Sequence, residues 1–541
     1  MHKPVKHRDE TSSALLTGVL ATISAYLVVS LAIRIMNYDL RRDEELYVPP
    51  VRLLDEHRLY EDFFYNHVPG SAWWFYAIRQ ITGSDYLLLN GRLGVLLGWL
   101  IFAAAIGLVS FALTRSRLVS WCIVVLSLLN PLFLTETGMT ATNNLLPLPF
   151  SFLGIGLFIL GMRHDRAQPV VIGLAGLFLS IATVLKISAV AFIPPVVLAA
   201  LFLPYPLRFR QRVKRVVLPL AVGGLVGGLP ILFYLVSDSA RFLAHVVGYH
   251  TGPHVRYWQG GGEGAAISLA EKLLLAYDIW LSSAIAVSLA VILALALTGV
   301  QWRRALGRPG WQLPLRPLIV IFAAVAFSAF LSFVPTPAFP QYFAPPLICL
   351  PLALAVLFAG LDPDARKQAL PAIVAATIVV LAIGVPRLSQ FMGVAVHPEH
   401  WLVSRVHKSG VAIAQLLDEA GVEGKVATLL PLYPLEGGLE VYPELATGPF
   451  AYRTADITPP ELARFYRMTS PTTVGQILDA DPPAALLLGF DADLEASLLA
   501  YAERNGYARV EDIGITNRYG SGVLYVRRVQ GERPGASALP E

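Results

Sequence analysis

The chain has 541 residues, 55% of them hydrophobic and only 15% charged. A soluble protein of this length carries roughly 25% charged residues, so the composition excludes an ordinary soluble globular protein. The formal charge of +4 sits in short basic clusters between apolar runs, a pattern that sets membrane topology and gives no reason to expect nucleic acid as a partner.

In chain order, MHKPVKHRDETSS leads into an apolar run that ends near Met36 with no small-residue cleavage pattern, so it reads as a retained first helix. Further apolar runs, each of about 17–25 residues, predict transmembrane helices at 88–113, 118–134, 142–161, 169–185, 188–204, 216–236, 272–299, 317–334, 341–360 and 369–387. The expected fold is a polytopic α-helical membrane protein of about eleven transmembrane helices. Cys122 and Cys349 fall far apart inside these runs and offer neither a disulfide framework nor a thiolate metal site.

Charge placement checks the topology independently. With Lys3, Lys6 and Arg8 on the cytoplasmic side, every second connection is basic: Arg115 and Arg117; Arg163 and Arg166; the 208–215 cluster; Arg303, Arg304 and Arg308; Arg366 and Lys367. The opposite connections 135–141 and 335–340 hold no Lys or Arg, and 237–271 holds only Arg241 and Arg256. An odd number of spans then leaves the C-terminal part on the extracytoplasmic side.

Three outer segments stand out. The first loop, 37–87, mixes charges with aromatics, and Trp73, Trp74 and Tyr76 suit an interfacial depth. The loop 237–271 carries His245, His250, His254, Arg256, Tyr257, Trp258 and a GGGEG stretch, and the third segment, PTPAFPQYF, is rigid and aromatic. From about 395 the hydropathy drops. KVATLL, AALLLGF and GVLYVRR read as strands, and PELARFYR, TTVGQILD and DLEASLLAYAERNG as helices. The chain therefore divides into a transmembrane domain, 1–394, and a soluble α/β domain on the extracytoplasmic side, 395–541. No Gly-rich phosphate loop follows the first strand of the latter, so a nucleotide role has no support.

Asp43, Glu44 and Glu45 follow the first span within a few residues. Taken alone, three carboxylates beside a membrane helix fit a solvated loop. The stretch from DEELY through NGRL, however, resembles the first outer loop of GT-C glycosyltransferases, membrane enzymes that take a sugar from a polyprenyl phosphate. The resemblance rests on the acidic pair Asp43 and Glu44, the HRLYEDF turn, His67 before Pro69, an interfacial helix, Gly83, and Arg92 entering the second span. It is closest to the bacterial group of protein mannosyltransferases and lipid A aminoarabinose transferases, and ATVLKISAVAFIPP and FPQYFAPPL are also similar to that group. The group often has lysine where His67 stands and an acid where this chain has Asn143 and Asn144; Glu136, a few residues earlier, is the candidate second acid.

The resemblance implies inverting, metal-independent sugar transfer in the bacterial inner membrane, with no cofactor. The donor is a polyprenyl-phosphate sugar, and the acceptor is a lipid, glycan or protein of the envelope. Such chemistry needs a carboxylate base for the acceptor proton and cations for the departing phosphate. Asp43 is the expected base, with Glu44 the second candidate. His67, Lys186, His250, His254 and Arg256 are the candidates facing the phosphate, and Tyr342 stands where the family places an aromatic near the donor. Lys186, between two apolar runs, reads either as a functional intramembrane cation or as a snorkelling side chain. The histidine spacing does not resemble a zinc signature, so no metal site is expected. Two other classes, a flippase for a lipid-linked glycan and a non-catalytic envelope scaffold, also have many helices and polar outer loops. The chain shows no internal repeat of the kind transporters carry.

Overall fold

A computed structural model describes residues 6–163, 167–203, 206–261, 266–305, 314–511 and 513–528. Lys3, Arg166 and Arg308, the side chains of Lys6, Arg8, Arg303 and Arg304, and most of the GGGEG stretch lie outside the described residues.

The chain is a multi-pass membrane protein. Among the described residues, five helices are long and apolar enough to cross a bilayer: Ala14–Asn37, Leu87–Thr114, Leu315–Phe333, Pro340–Gly360 and Pro363–Leu388. Two pairs, Phe209–Gly227 with Leu229–Ser237 and Leu269–Trp280 with Ser283–Gly299, bend by 63° and 69° at their breaks, making seven spans if each pair is one. The first bend falls at Gly228 and Pro230, where a flexible residue meets one that has no N–H to donate. Every run read as a span coincides with an apolar helix or helix pair. Four of them, Arg117–Leu128, Pro147–Gly161, Pro169–Leu185 and Ile187–Phe202, have 17 residues or fewer. At 1.5 Å per residue such helices barely reach or fall short of a hydrocarbon core of roughly 30 Å. Among the described residues there are thus five full-length spans, or seven with the bent pairs, and the expected count of about eleven is not reached by length. Leu108, Leu225, Phe322 and Phe330 project outward from their helices, as side chains bathed in lipid do.

The shortening between Leu128 and Pro147 has a functional side. Asn130–Pro131 stops the helix, and 129–146 runs mostly as irregular backbone with buried Thr140, Asn143 and Asn144. Irregular backbone at membrane depth is tolerated where protein buries it or where it lines a cavity. Arg34 of the first helix pins this segment, donating from Nη2 to the Leu134 carbonyl at 2.8 Å and from Nη1 to the Arg387 carbonyl at 2.7 Å.

Beyond 395 the strands are β1 (Val426–Thr428), β2 (Ala485–Leu488), β3 (Ala508–Val510), β4 (Thr516–Asn517), β5 (Gly520–Ser521) and β6 (Val523–Val526). The main sheet has the order β1-β2-β6-β3; β1 and β2 are parallel and the other pairs antiparallel. The expected helices appear at Pro460–Phe465, Val474–Ala480 and Ala492–Arg504. Three α-helices that the sequence reading did not identify, Leu402–Glu419, Leu432–Glu436 and Pro449–Ala455, also belong to this α/β unit. It docks on the first loop through two carboxylates. Glu436 accepts from the N–H groups of Leu87 and Leu88 at 3.0 and 2.7 Å, capping the free start of Leu87–Thr114. Glu45 accepts from the Leu432 N–H at 2.9 Å.

Candidate active site

Asp43 stands at the N-terminal edge of a one-turn helix, Glu44–Tyr47. Successive helical side chains point about 100° apart, so the three acids meet three environments. Glu44 turns inward, where Arg92 grips both of its oxygens at 2.6 and 2.7 Å and the Ala141 N–H donates at 2.8 Å. Glu45 turns toward Leu432 and is fully buried; burial raises its carboxyl to about 8, opposed by the hydrogen bond from Leu432. Asp43 has no side-chain hydrogen bond or ion pair among the described residues, and its carboxylate opens into a cavity of ≈ 260 Å³. Burial raises it to about 6; Glu136 adds to the rise, and Arg453 and Lys186 oppose it.

Lys186 faces the same cavity. It ends helix Pro169–Leu185 in extended backbone, with φ −153° and ψ 124°, which turns its side chain inward instead of along the helix. Its Nζ donates to Asn144 Oδ1 at 2.6 Å and sits 5.2 Å above the Tyr342 ring. Asn144, standing where the resemblance expects an acid, therefore acts here as the lysine's acceptor. The two walls are locked at Gly70: a Cβ there would lie 2.4 Å from the Val184 carbonyl oxygen, so the loop carrying Asp43 and His67 touches the end of the Lys186 helix backbone to backbone.

Three imidazoles form another wall. His67 stacks on Tyr47 at 4.9 Å, His67 and His250 are 5.3 Å apart, and His250 and His254 are 5.5 Å apart. The 237–271 segment is mostly helical where described, and His250, His254 and Trp258, four residues apart, all line the cavity. Burial, then the neighbouring positive groups, keeps His67 well below the usual histidine range and lowers His254 to about 3. Burial thus favours the uncharged form of these rings. His245 is fully buried, its Nδ1 2.8 Å from the Arg241 carbonyl, and His250 Nε2 is 2.8 Å from the Asn66 carbonyl.

Of the expected site residues, the cavity brings together Asp43, His67, Glu136, Lys186, His250, His254 and Tyr342. Glu136 reaches Arg41 at 3.4 Å. Glu44 lies behind the wall, saturated by Arg92. Arg256, two residues and some 200° beyond His254, is exposed on the far side of helix Pro253–Gln259. The sequence reading missed the groups delivered by the C-terminal unit: Phe450, Arg453 and Tyr519 all line the cavity. The one local sign was the Gly-Pro pair opening helix Pro449–Ala455. Gly448 has φ 65°, and a Cβ on it would stand 3.0 Å from that of Glu45. Among the described residues the group closest to a metal-ligand set is His397, Glu399 and His400, which is exposed and outside the cavity.

No family model matches this chain, and no curated protein sequence does. Among solved structures, the crystal structure of ArnT from Cupriavidus metallidurans bound to undecaprenyl phosphate is similar over 96% of this chain and 99% of that one, with a TM-score of 0.60 and 13% identity. The apo form of ArnT from the same organism is similar over 95% of this chain and 98% of that one, with a TM-score of 0.59 and 13% identity. At this identity the likeness is one of fold: the chain has the fold of ArnT over nearly its whole length, which is the fold that the resemblance to GT-C glycosyltransferases implies.

Proposed function

We propose that this protein is a GT-C-type membrane glycosyltransferase that moves a sugar from a polyprenyl-phosphate donor to an envelope acceptor, with Asp43 as general base. The observation that carries the reading is the free Asp43 carboxylate, in a cavity shared with Lys186, in a chain folded like a protein that was crystallised with undecaprenyl phosphate. Asp43 takes the proton of the acceptor hydroxyl or amine as that atom bonds to the anomeric carbon. The bond from that carbon to the phosphate oxygen breaks, and its electron pair leaves with the polyprenyl phosphate. Lys186 offsets the charge that develops there, in a site where water does not screen it. The transfer is inverting and needs no metal or other cofactor. Residues 1–394 form the catalytic membrane domain of a bacterial inner-membrane protein, residues 395–541 the periplasmic domain, and the acceptor arrives from the periplasm.

Purified protein, a radiolabelled polyprenyl-phosphate sugar and an envelope extract as acceptor provide the test. Positioned general bases contribute about 10²–10⁴-fold, so Asp43→Asn is expected to lose that much transfer while expressing at the wild-type level. Transfer that survives Asp43→Asn rejects Asp43 as the base, and wild-type protein without transfer or hydrolysis of such donors rejects the enzyme.

A further inference from the structure

We propose that Arg453 is a phosphate-binding residue of the cavity, contributed by the C-terminal α/β unit. The inference rests on the reading above for the identity of the lipid and on geometry for the rest.

Of the cavity's arginines, Arg41 is drawn to Glu136 at 3.4 Å and Arg42 to Asp491 at 2.8 Å. Arg453 has neither an ion pair nor a hydrogen bond among the described residues, and its Nε is buried without a partner. Its guanidinium lies 4.9 Å from the Tyr257 ring, 5.2 Å from Trp258 and 4.9 Å from Phe450. These contacts hold the plane of the group and leave its in-plane N–H groups unused. A fork of five donors with fixed orientation suits the tetrahedral oxygens of a phosphate, which it can bind through two parallel hydrogen bonds.

A solely structural arginine would use its edge as well as its faces, because a buried donor without a partner costs about 1–3 kcal/mol. Asp43 does not fill that role, since the two make no ion pair at contact distance. Lys186 lies in the same cavity, on the membrane-helix side, and Arg453 enters from the soluble side. An oxyanion in the cavity can therefore meet a cation from each layer of the protein, with Asp43 left free to act.

The test uses full-length protein in nanodiscs and two probes, undecaprenyl phosphate and inorganic phosphate, against wild type, Arg453→Gln and Arg453→Lys. Arg453→Gln keeps a flat side chain without the charge and is expected to weaken undecaprenyl phosphate at least tenfold with the melting midpoint unchanged. Arg453→Lys, with charge but no fork, recovers only part of the loss, and this comparison decides the matter if the glutamine variant does not fold. Wild-type affinity for both probes in both variants overturns the inference and leaves the glycosyltransferase reading in place. Arg453-dependent binding of inorganic phosphate without saturable binding of the lipid upholds the inference and counts against the polyprenyl donor. No binding of either probe by the wild type overturns both.

Discussion

Glu44 and Arg92 form a bidentate ion pair in which neither side chain has any exposure. The remaining N–H groups of Arg92 go to the carbonyls of Ile35, Tyr38 and Met139, so all five donors are used. The pair ties the first helix, the first loop, helix Leu87–Thr114 and the 129–146 segment together directly behind Asp43. Removing one partner strands a buried charge, which costs about 3–5 kcal/mol. Arg92→Ala and Glu44→Ala are therefore expected to lower the thermal unfolding midpoint by several degrees or to prevent folding, whereas Asp43→Asn leaves it near wild type. An Arg92→Ala protein that melts with the wild type would show the pair to be idle.

As the proposed base Asp43 must be ionised, and burial, then Glu136, raise its carboxyl to about 6. Its activity is thus present above pH 6 and falls about tenfold per unit below it. The neighbours move the midpoint in opposite directions. Glu136→Gln removes a negative charge and lowers it; Lys186→Gln removes a positive one and raises it, in addition to slowing transfer. A pH–rate profile for the three proteins reads this out, and a midpoint that does not respond to Glu136→Gln would assign the titration to another group.

Glu436 caps the start of helix Leu87–Thr114 from the other end of the sequence, with His407 Nδ1 at 2.8 Å from the same carboxylate. Glu436→Ala would leave two buried N–H groups without an acceptor, at about 1–3 kcal/mol for each unsatisfied donor. Hydrogen exchange at Leu87 and Leu88 is expected to accelerate, and the 395–528 region to become more sensitive to protease. Unchanged exchange at those two amides would mean that water replaces the carboxylate without loss.

What was legible in the sequence follows from the range of each interaction. Helices announced themselves through runs of apolar residues, and the strands β1, β2 and β6 through short buried hydrophobic stretches, because both signals are local. The acidic pair and His67 were visible as a linear pattern within one loop. The division of labour between Asp43 and Glu44 was not, since it depends on Arg92, 48 residues further on. Arg256 looked as suitable as Arg453 on charge alone; the turn of one helix exposes the first, and packing across two units half-buries the second against Tyr257, Trp258 and Phe450. Lys186 was found because a lone cation between apolar runs is costly anywhere in the chain.

The position of β6 bears on how the protein is made. This strand, 523–526, lies between β2 and β3 in the sheet, so β2 and β3 have no common neighbour until it arrives. The unit that holds Phe450, Arg453 and Tyr519 at the cavity therefore assembles only after synthesis has passed residue 526 and that stretch has been delivered to the side where the first loop waits. From the completion of β2 at residue 488 until β6 begins at 523, β2 carries an unpaired edge, a surface prone to the wrong partners. A chain at that stage has its membrane half in place while the cavity still has one wall missing. A nascent chain caught at that point would carry an open, unfinished cleft.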